Sequence, residues 1–190
     1  MNRAQQDTLF TELFNAHRQP IYSYLYRLVG DLAHAEELVQ DVFLRAYRAL
    51  PGLAEGSNHR AWLFKIATNA ARDWFRRQSL RRWVPFLRSN DEDGEPEAEE
   101  PGPNDEPSLP VEERMAVAEA LGKLSLTYRV PLVLFAIEGL STAEIAAILG
   151  ISRSGVKMRL ARARALFQSA YGADENAAAQ HVVGEASSLS

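Results

Sequence analysis

The sequence predicts an all-α protein made of two helical modules that are joined by a flexible acidic linker. Apolar residues recur at helical spacing in two separate stretches, residues 1–86 and 111–171. Between them, residues 87–110 are rich in Asp, Glu, Pro and Gly and hold too few apolar side chains to offset the entropy of an ordered chain. Near the end of the second stretch, residues 139–167 have the pattern of two short helices joined by a tight turn. Residues 172–190 lack a sustained apolar face, which predicts a flexible tail.

The charge of the chain is segregated along its length. The net charge is −4, yet residues 89–113 hold eleven acids and no Lys or Arg, so the remainder is strongly basic. Residues 60–88 carry eight basic residues against one acid, and residues 152–167 carry five against none. Two basic stretches on either side of an acidic spacer indicate two contacts with a polyanion such as nucleic acid.

The composition also excludes several classes of protein. The chain has no cysteine, which excludes disulfides and thiolate metal sites within it. Its longest apolar run, residues 130–137, is far shorter than the roughly 20 residues of a membrane helix, and the N-terminus is too polar for a signal peptide. We therefore expect a cytoplasmic protein with two small cores, without direct membrane insertion and without a metal or other cofactor.

The first module begins with two predicted helical regions. Helical spacing over residues 7–29 indicates the first, and Pro20 is expected to break or bend it into two segments. Asp31 is expected to cap the next helix, which ends before Pro51. The buried stripe of this helix is predicted to be Leu38, Val39, Val42, Phe43, Ala46 and Leu50. A polar patch lies elsewhere on it, and these residues alone leave open whether it is a solvated face or a binding surface: Glu36, Glu37, Gln40 and Asp41.

A basic helix is predicted over residues 60–82, after a loop over residues 51–59 that is rich in Gly, Ser and Asn. The inward side is predicted to be Trp62, Leu63, Ile66, Ala70 and Trp74. The outward side is predicted to be Lys65, Asn69, Arg72, Arg76 and Arg77. Aromatic residues interleaved with arginines can stack on unpaired bases and hold the backbone of a single strand. Core packing of the tryptophans is the competing explanation, and for Trp62 it is the preferred one.

The second module is predicted to have four helices, the first starting near residue 111. Thr127 is expected to cap the second helix and to place Pro131 in its first turn, where no intrahelical hydrogen bond is lost. Ser141 followed by Glu144 is a capping box, which predicts the start of the third helix there.

The last two helices of this module have the pattern of a helix-turn-helix. Gly150 suits a left-handed C-terminal cap, and Ser152 can cap the helix that follows. At about 100° per residue, one narrow stripe of that helix contains Val156, Leu160, Ala163 and Phe167. The opposite side presents Ser154, Lys157, Met158, Ala161, Arg162 and Ala165, with Arg153, Arg159 and Arg164 on the flanks. Small side chains let such a helix approach base edges while the basic residues hold phosphates, as a recognition helix requires.

Three motifs in this order resemble those of a bacterial sigma factor of the extracytoplasmic-function (ECF) class, within the sigma-70 family. They are AEELVQDVFLRAYRAL, then HRAWLFKIATNAARDWFRR, and, after the acidic linker, LSLTYRVPLVLFAIEGLSTAEIAAILGISRSGVKMRLARAR. The resemblance covers residues 7–171. It implies that residues 1–86 are sigma region 2 and residues 111–171 are sigma region 4. The sequence departs from the family pattern at Gly155 and Met158 of the recognition helix.

The resemblance also implies partners and site residues. The largest-subunit clamp helices of core RNA polymerase would dock on Glu37, Gln40 and Asp41, and the flap would be a second polymerase contact. The minus-10 element of promoter DNA would be captured, with a flipped base, by Asn58, His59, Arg60, Trp62, Lys65, Asn69, Arg72, Arg76 and Arg77. The minus-35 element would be read by Arg153, Ser154, Lys157, Met158, Ala161 and Arg162. An anti-sigma factor is a further expected partner, and it could tether the chain at the inner membrane.

Two other functions remain as alternatives. A stand-alone helix-turn-helix regulator would use the same recognition helix but leaves the basic helix of the first module without a role. A sigma mimic that titrates an anti-sigma factor would lack basic residues facing DNA, which this chain retains. An enzyme is not expected, because the four histidines are scattered and no phosphate-binding or metalloprotease motif occurs.

Overall fold

A computed structural model describes residues 2–54, 56–83 and 110–187, with side chains up to Leu80 in the first two ranges and up to Gly172 in the third. Every regular element in these ranges is helical, which confirms the predicted fold class. The elements are α1 (Arg3–Val29), α2 (Leu32–Ala49), a 3-10 turn (Leu50–Gly52), α3 (His59–Trp83), α4 (Val111–Gly122), α5 (Leu126–Ala136), α6 (Thr142–Leu149) and α7 (Arg153–Ser187).

The first module is a bundle in which α1, α2 and α3 all contact one another. The predicted stripe of α2 is buried in this bundle from Leu38 to Leu50. Asp31 caps α2 as predicted, because its side chain accepts a hydrogen bond from the backbone N–H of His34 at 2.7 Å. Deep in the bundle, the Tyr24 and Thr68 hydroxyl groups lie 2.7 Å apart. Burial raises the pKa of Tyr24 well above its ordinary value, so this pair stays neutral.

Of the predicted break or bend at Pro20, the break does not occur. Helix α1 is continuous from Arg3 to Val29 with Pro20 inside it. Proline removes one backbone hydrogen bond, but the next turns bury Ile21, Tyr24 and Leu25 completely. Tertiary packing therefore holds the helix together across the proline.

The second module packs α4, α5 and α6 against α7, which confirms the predicted four-helix arrangement. The start of α5 differs from the prediction. Ser125, not Thr127, is its N-cap, so Pro131 is the sixth residue of the helix and lies beyond the first turn. Pro131 is itself buried among Val130, Leu132 and Val133. Proline has no backbone N–H to donate to the carbonyl one turn earlier. We attribute the tolerance of Pro131 to its apolar packing, which offsets the loss of that hydrogen bond.

The two modules touch, so their buried apolar residues form one continuous cluster and not the two cores expected from the sequence. Helix α1 packs against α4 and α5, and α3 packs against α6. Arg129 of α5 joins the modules directly, because its guanidinium donates to the carbonyls of Leu28, Gly122 and Leu124. Burial lowers the pKa of Arg129, and the three carbonyls offset the cost of removing the charge from water.

The last helix is longer than the sequence predicted. Helix α7 continues to Ser187, whereas ordered structure was expected to end at Tyr171 and to give way to a flexible tail. The added segment includes a run of alanines, and alanine favours a helix even without an apolar face to bury. The predicted acidic linker, residues 87–110, lies outside the described residues except for Pro110. Among the described helices, none has both the length and the hydropathy needed to span a membrane.

Candidate nucleic-acid interface

Helices α6 and α7 form the predicted helix-turn-helix, and its turn is built by the predicted caps. The Ser141 hydroxyl accepts from the Glu144 N–H at 3.2 Å, while the Glu144 carboxylate accepts from the Ser141 N–H at 2.8 Å. Gly150 closes α6 at a φ of 67°, where a residue with a Cβ atom is strained. The Ser152 hydroxyl then accepts from the Gly155 N–H at 3.1 Å and starts α7. The predicted capping box and the predicted caps at Gly150 and Ser152 are thereby confirmed.

The two sides of α7 separate as the helical arithmetic predicted. Val156, Leu160 and Ala163 are buried, and Phe167 packs against the same core. The opposite face is exposed to solvent over its whole predicted length, namely at Ser154, Lys157, Met158, Ala161, Arg162 and Ala165, and Arg153 on its flank is exposed as well. Met158 is the most exposed large apolar residue described in the chain, at 71%. A basic face with short side chains and one apolar tip can enter a major groove and contact both phosphates and bases.

Helix α3 presents the second basic surface. Its outward residues Lys65, Asn69, Arg72, Arg76 and Arg77 are all exposed, as predicted. Trp62, Ile66 and Trp74 are half-buried and pack against the core, which agrees with core packing as the preferred role of Trp62. Trp62 therefore has only part of its ring available to a nucleic acid.

The start of α3 combines a helix N-terminus with several basic side chains. Asn58 caps the helix, because its side-chain amide oxygen accepts from the Ala61 N–H at 3.0 Å. Arg60 follows, and its guanidinium lies 5.3 Å from the centre of the Phe64 ring. Burial lowers the pKa of His17 on α1, and the charges of Arg60 and His59 lower it further. Arg60 and His59 of α3 therefore lie close enough to His17 of α1 for their charges to act on it.

The polar patch on α2 is divided between exposed and internally paired residues. Glu37 and Gln40 are exposed and face solvent. The Asp41 carboxylate instead pairs with Arg45 at 2.6 Å, and Arg45 also reaches Asp73 of α3 at 3.4 Å. Asp73 also forms an ion pair with Arg76 at 3.1 Å, which extends this network along α3. Asp41 therefore helps to hold α2 on α3 in addition to lining the patch.

Sequence reasoning missed one residue of this patch. Leu44 is 57% exposed, and it follows Glu37, Gln40 and Asp41 at helical spacing. The available signal was its position off the buried stripe of α2. Leu44 thus adds one exposed apolar side chain to an otherwise polar patch.

The geometry defines a two-module helical protein with a helix-turn-helix and a second basic helix. Residues 13–81 match the family model of Sigma-70 region 2, and residues 114–167 match that of Sigma-70, region 4. The chain is 36% identical over 158 residues to the ECF RNA polymerase sigma factor SigL of Mycobacterium tuberculosis, covering 83% of this chain and 85% of SigL. It is 38% identical over 145 residues to the RNA polymerase sigma factor CnrH of Cupriavidus metallidurans, covering 73% and 74%. This chain belongs to the ECF sigma factors of the sigma-70 family.

Two solved structures resemble the whole fold. The sigma factor RpoE, in complex with the anti-sigma factor NepR from Bartonella quintana, superposes with a TM-score of 0.71 at 25% identity, covering 87% of this chain and 98% of RpoE. CnrH in complex with the cytosolic domain of CnrY gives a TM-score of 0.66 at 29% identity, covering 90% and 95%. Both likenesses extend over the two modules together.

Proposed function

We propose that this chain is a dissociable initiation subunit that directs core RNA polymerase to a signal-controlled set of promoters and has no catalytic activity of its own. The patch on α2, with Leu44 as its apolar centre, docks on the clamp helices of the largest subunit. The basic surface of α3 captures and melts the minus-10 element, and α7 reads the minus-35 element. The observation that carries the proposal is the solvent-exposed basic face of α7 on a capped helix-turn-helix.

Run-off transcription tests this proposal directly. Purified bacterial core polymerase is supplied with fragmented DNA from the source genome, with and without the protein. We expect discrete start sites only when the protein is present. Core binding without transcripts would favour a sigma mimic. Sequence-specific DNA binding without any core binding would favour a stand-alone regulator.

Arg162→Ala tests the role of the recognition helix. Arg162 is exposed on the outward face of α7 and can hold a base edge or a phosphate. We expect promoter affinity of the reconstituted holoenzyme to fall by about 1–3 kcal/mol if Arg162 reads a base, with relaxed specificity at one position. A smaller loss that is equal on all sequences would assign it to phosphate. Gln168→Ala, an exposed position farther along α7, is the control, and an unchanged affinity for Arg162→Ala would remove Arg162 from the site.

We also propose that an anti-sigma factor regulates this chain in the cytoplasm. The support is the likeness of both modules to sigma factors solved with such partners, RpoE with NepR and CnrH with CnrY. A partner of this kind would compete with core polymerase for the α2 patch. Pull-down from the source organism with Leu44→Glu as the control tests this. We expect the wild-type protein to retain both core polymerase and a small regulatory protein, and the Leu44→Glu variant to lose both; a variant that loses only the polymerase would place the regulatory protein elsewhere.

A further inference from the structure

Four charged side chains connect the patch on α2 to the basic surface of α3. In the patch, both carboxylate oxygens of Asp41 contact Arg45: Nε donates to Oδ1 at 2.9 Å, and Nη2 lies 2.6 Å from Oδ2. The Nη1 group of Arg45 donates to Oδ2 of Asp73 on α3 at 3.4 Å. The other oxygen of Asp73, Oδ1, accepts from Arg76 at 3.1 Å. We call these four residues the ion-pair network, and it joins a candidate docking residue to a candidate DNA-binding residue.

Each inner residue of the network is shared between two partners. Arg45 has five N–H donors in a fixed fork, so it can bind two carboxylates at once. Its bidentate pair with Asp41 has the stronger geometry, because the contact with Asp73 is a single long hydrogen bond. Asp41 chiefly, and Asp73 in addition, raise the pKa of Arg45 above its ordinary value. If Asp41 holds Arg45 less tightly, Arg45 can therefore bind Asp73 more tightly.

The DNA-facing end of the network is the accessible one. The side chain of Arg76 is 74% exposed, whereas those of Arg45 and Asp73 are both 37% exposed. A phosphate can reach Arg76, but the Asp73 carboxylate competes for the same guanidinium, since both anions accept charge-assisted hydrogen bonds from arginine. A shift of Asp73 toward Arg45 therefore leaves Arg76 more available to a phosphate.

We infer that Arg45 and Asp73 are positioning residues that couple polymerase docking at Asp41 to phosphate binding by Arg76. This inference rests on the function proposed above for the patch on α2 and for α3. A basic group of the polymerase that pairs with Asp41 releases Arg45 to Asp73, and Asp73 then releases Arg76. Because the charges alternate, a cation at one end and a phosphate at the other favour the same arrangement. Exposed ion pairs change an equilibrium constant by up to about fivefold, which limits the coupling.

The network can be tested in the full-length protein without polymerase, by titration with a fluorescent single-stranded oligothymidine. Asp41→Asn imitates docking, because it removes the ionised partner of Arg45, and it should raise the affinity about threefold. Arg45→Met leaves Asp73 to pair with Arg76 alone and should lower the affinity about threefold. Asp73→Asn frees Arg76 and should again raise it. Neighbouring residues of one network are thus expected to have effects of opposite sign.

Two exposed positions outside the network supply matched controls. Arg48→Met removes the same charge from α2 as Arg45→Met, and Glu119→Gln removes one acid from an ion pair within α4. These controls measure the general effect of charge on DNA affinity. In the Asp73→Asn background, Arg45→Met should have no more effect than Arg48→Met, because the link to Arg76 is already cut. An Arg45→Met effect that persists in this background, or that only equals the Arg48→Met effect in the wild-type background, would overturn the inference.

The salt dependence of binding separates positioning from stability. If Arg76 makes a phosphate contact, Arg45→Met should reduce the slope of log affinity against log salt by up to about 0.7, the value of one contact with a single strand. Arg48→Met should leave more of that slope intact, because it does not touch Asp73. A loss of folded protein lowers the apparent affinity without removing a phosphate contact. Circular dichroism and urea unfolding check that all variants fold.

Core polymerase tests the docking end of the network. The chain has no cysteine, so Glu12→Cys at an exposed position on α1 takes a dye selectively. Energy transfer to the labelled oligothymidine then reports DNA bound to this chain. We expect saturating core polymerase to raise the DNA affinity of the wild-type protein about threefold more than that of Arg45→Met. Equal increases would overturn the coupling to docking. If core polymerase does not bind, the proposed function fails, whereas the measurements on the free protein still decide whether Arg45 and Asp73 position Arg76.

Discussion

The two basic surfaces, on α7 and at the start of α3, differ in their contacts with the rest of the protein. The outward face of α7 is exposed from Arg153 to Ala165, whereas the start of α3 is engaged by Glu138 and Glu144 of the other module. The outward face of α7 is formed by the second module alone. The contacts at the start of α3 also depend on how the two modules pack against each other. Among the described residues, the face of α7 is thus free of contacts with the first module, whereas Asn58 and Arg60 at the start of α3 also hydrogen-bond to the second module.

The largest expected effect is a loss of stability when the buried side of α7, which supports its exposed face, is changed. Leu160 is buried on the inner stripe of α7, so Leu160→Ala leaves a cavity and should lower the free energy of unfolding by about 3 kcal/mol. Urea denaturation measures it. Ala165→Ser on the exposed side of the same helix is the control and should change stability by less than about 0.5 kcal/mol. Comparable losses at both positions would contradict the assignment of inner and outer faces.

A smaller effect is expected at the link between the modules. Arg129→Met keeps the aliphatic stem but leaves the carbonyls of Leu28, Gly122 and Leu124 without this donor, which should cost about 2 kcal/mol of stability. Spin labels on Glu12→Cys of α1 and Gln168→Cys of α7, both exposed positions, should also report a longer distance between the modules than in the wild-type background. Arg18→Met, at an exposed position on α1, is the control. Full retention of the wild-type distance in Arg129→Met would show that the apolar cluster alone holds the modules together.

The accuracy of the sequence predictions follows the same division between local and long-range structure. Ser141, Glu144, Gly150 and Ser152 were predicted correctly because each cap depends on residues within four positions. The buried stripes of α2 and α7 were also predicted, since helical spacing alone determines which side chains share a face.

Two errors are local, the cap of α5 and the end of α7, and the others concern features that depend on distant parts of the chain. Pro20 and Pro131 lie inside helices because tertiary packing outweighs their local cost. The contact of Asn58 with Glu144 joins residues 86 positions apart, and no local pattern records it. Which DNA bases the site residues touch stays a prediction, because exposure shows only that a side chain is accessible.

The stability contributed by the Glu144 carboxylate and its hydrogen bonds should depend on pH. Hydrogen bonds from Ser141 chiefly lower the pKa of Glu144 below its ordinary value of 4.5, and Asn58 and Arg60 of the first module lower it further. Because the folded pKa is lowered, this stabilisation is complete above pH 4.5 and is lost as the pH falls through the folded pKa. The stability difference between wild type and Glu144→Gln should be constant from pH 6 to 5 and shrink below 4.5. A difference that grows on acidification would contradict the assignment.

The smallest expected effect concerns one methyl group in DNA. Met158 places an exposed apolar tip on the outward face of α7, and thymine is the base that offers an apolar group, its C5 methyl, in the major groove. Replacing the contacted thymine of a selected minus-35 element by deoxyuridine should weaken holoenzyme binding about fourfold, the value of one buried methyl group. Met158→Ala should bind thymine and deoxyuridine equally. If the variant keeps the wild-type preference for thymine, another side chain reads the methyl group, and Met158 lies outside the base-reading part of the exposed face.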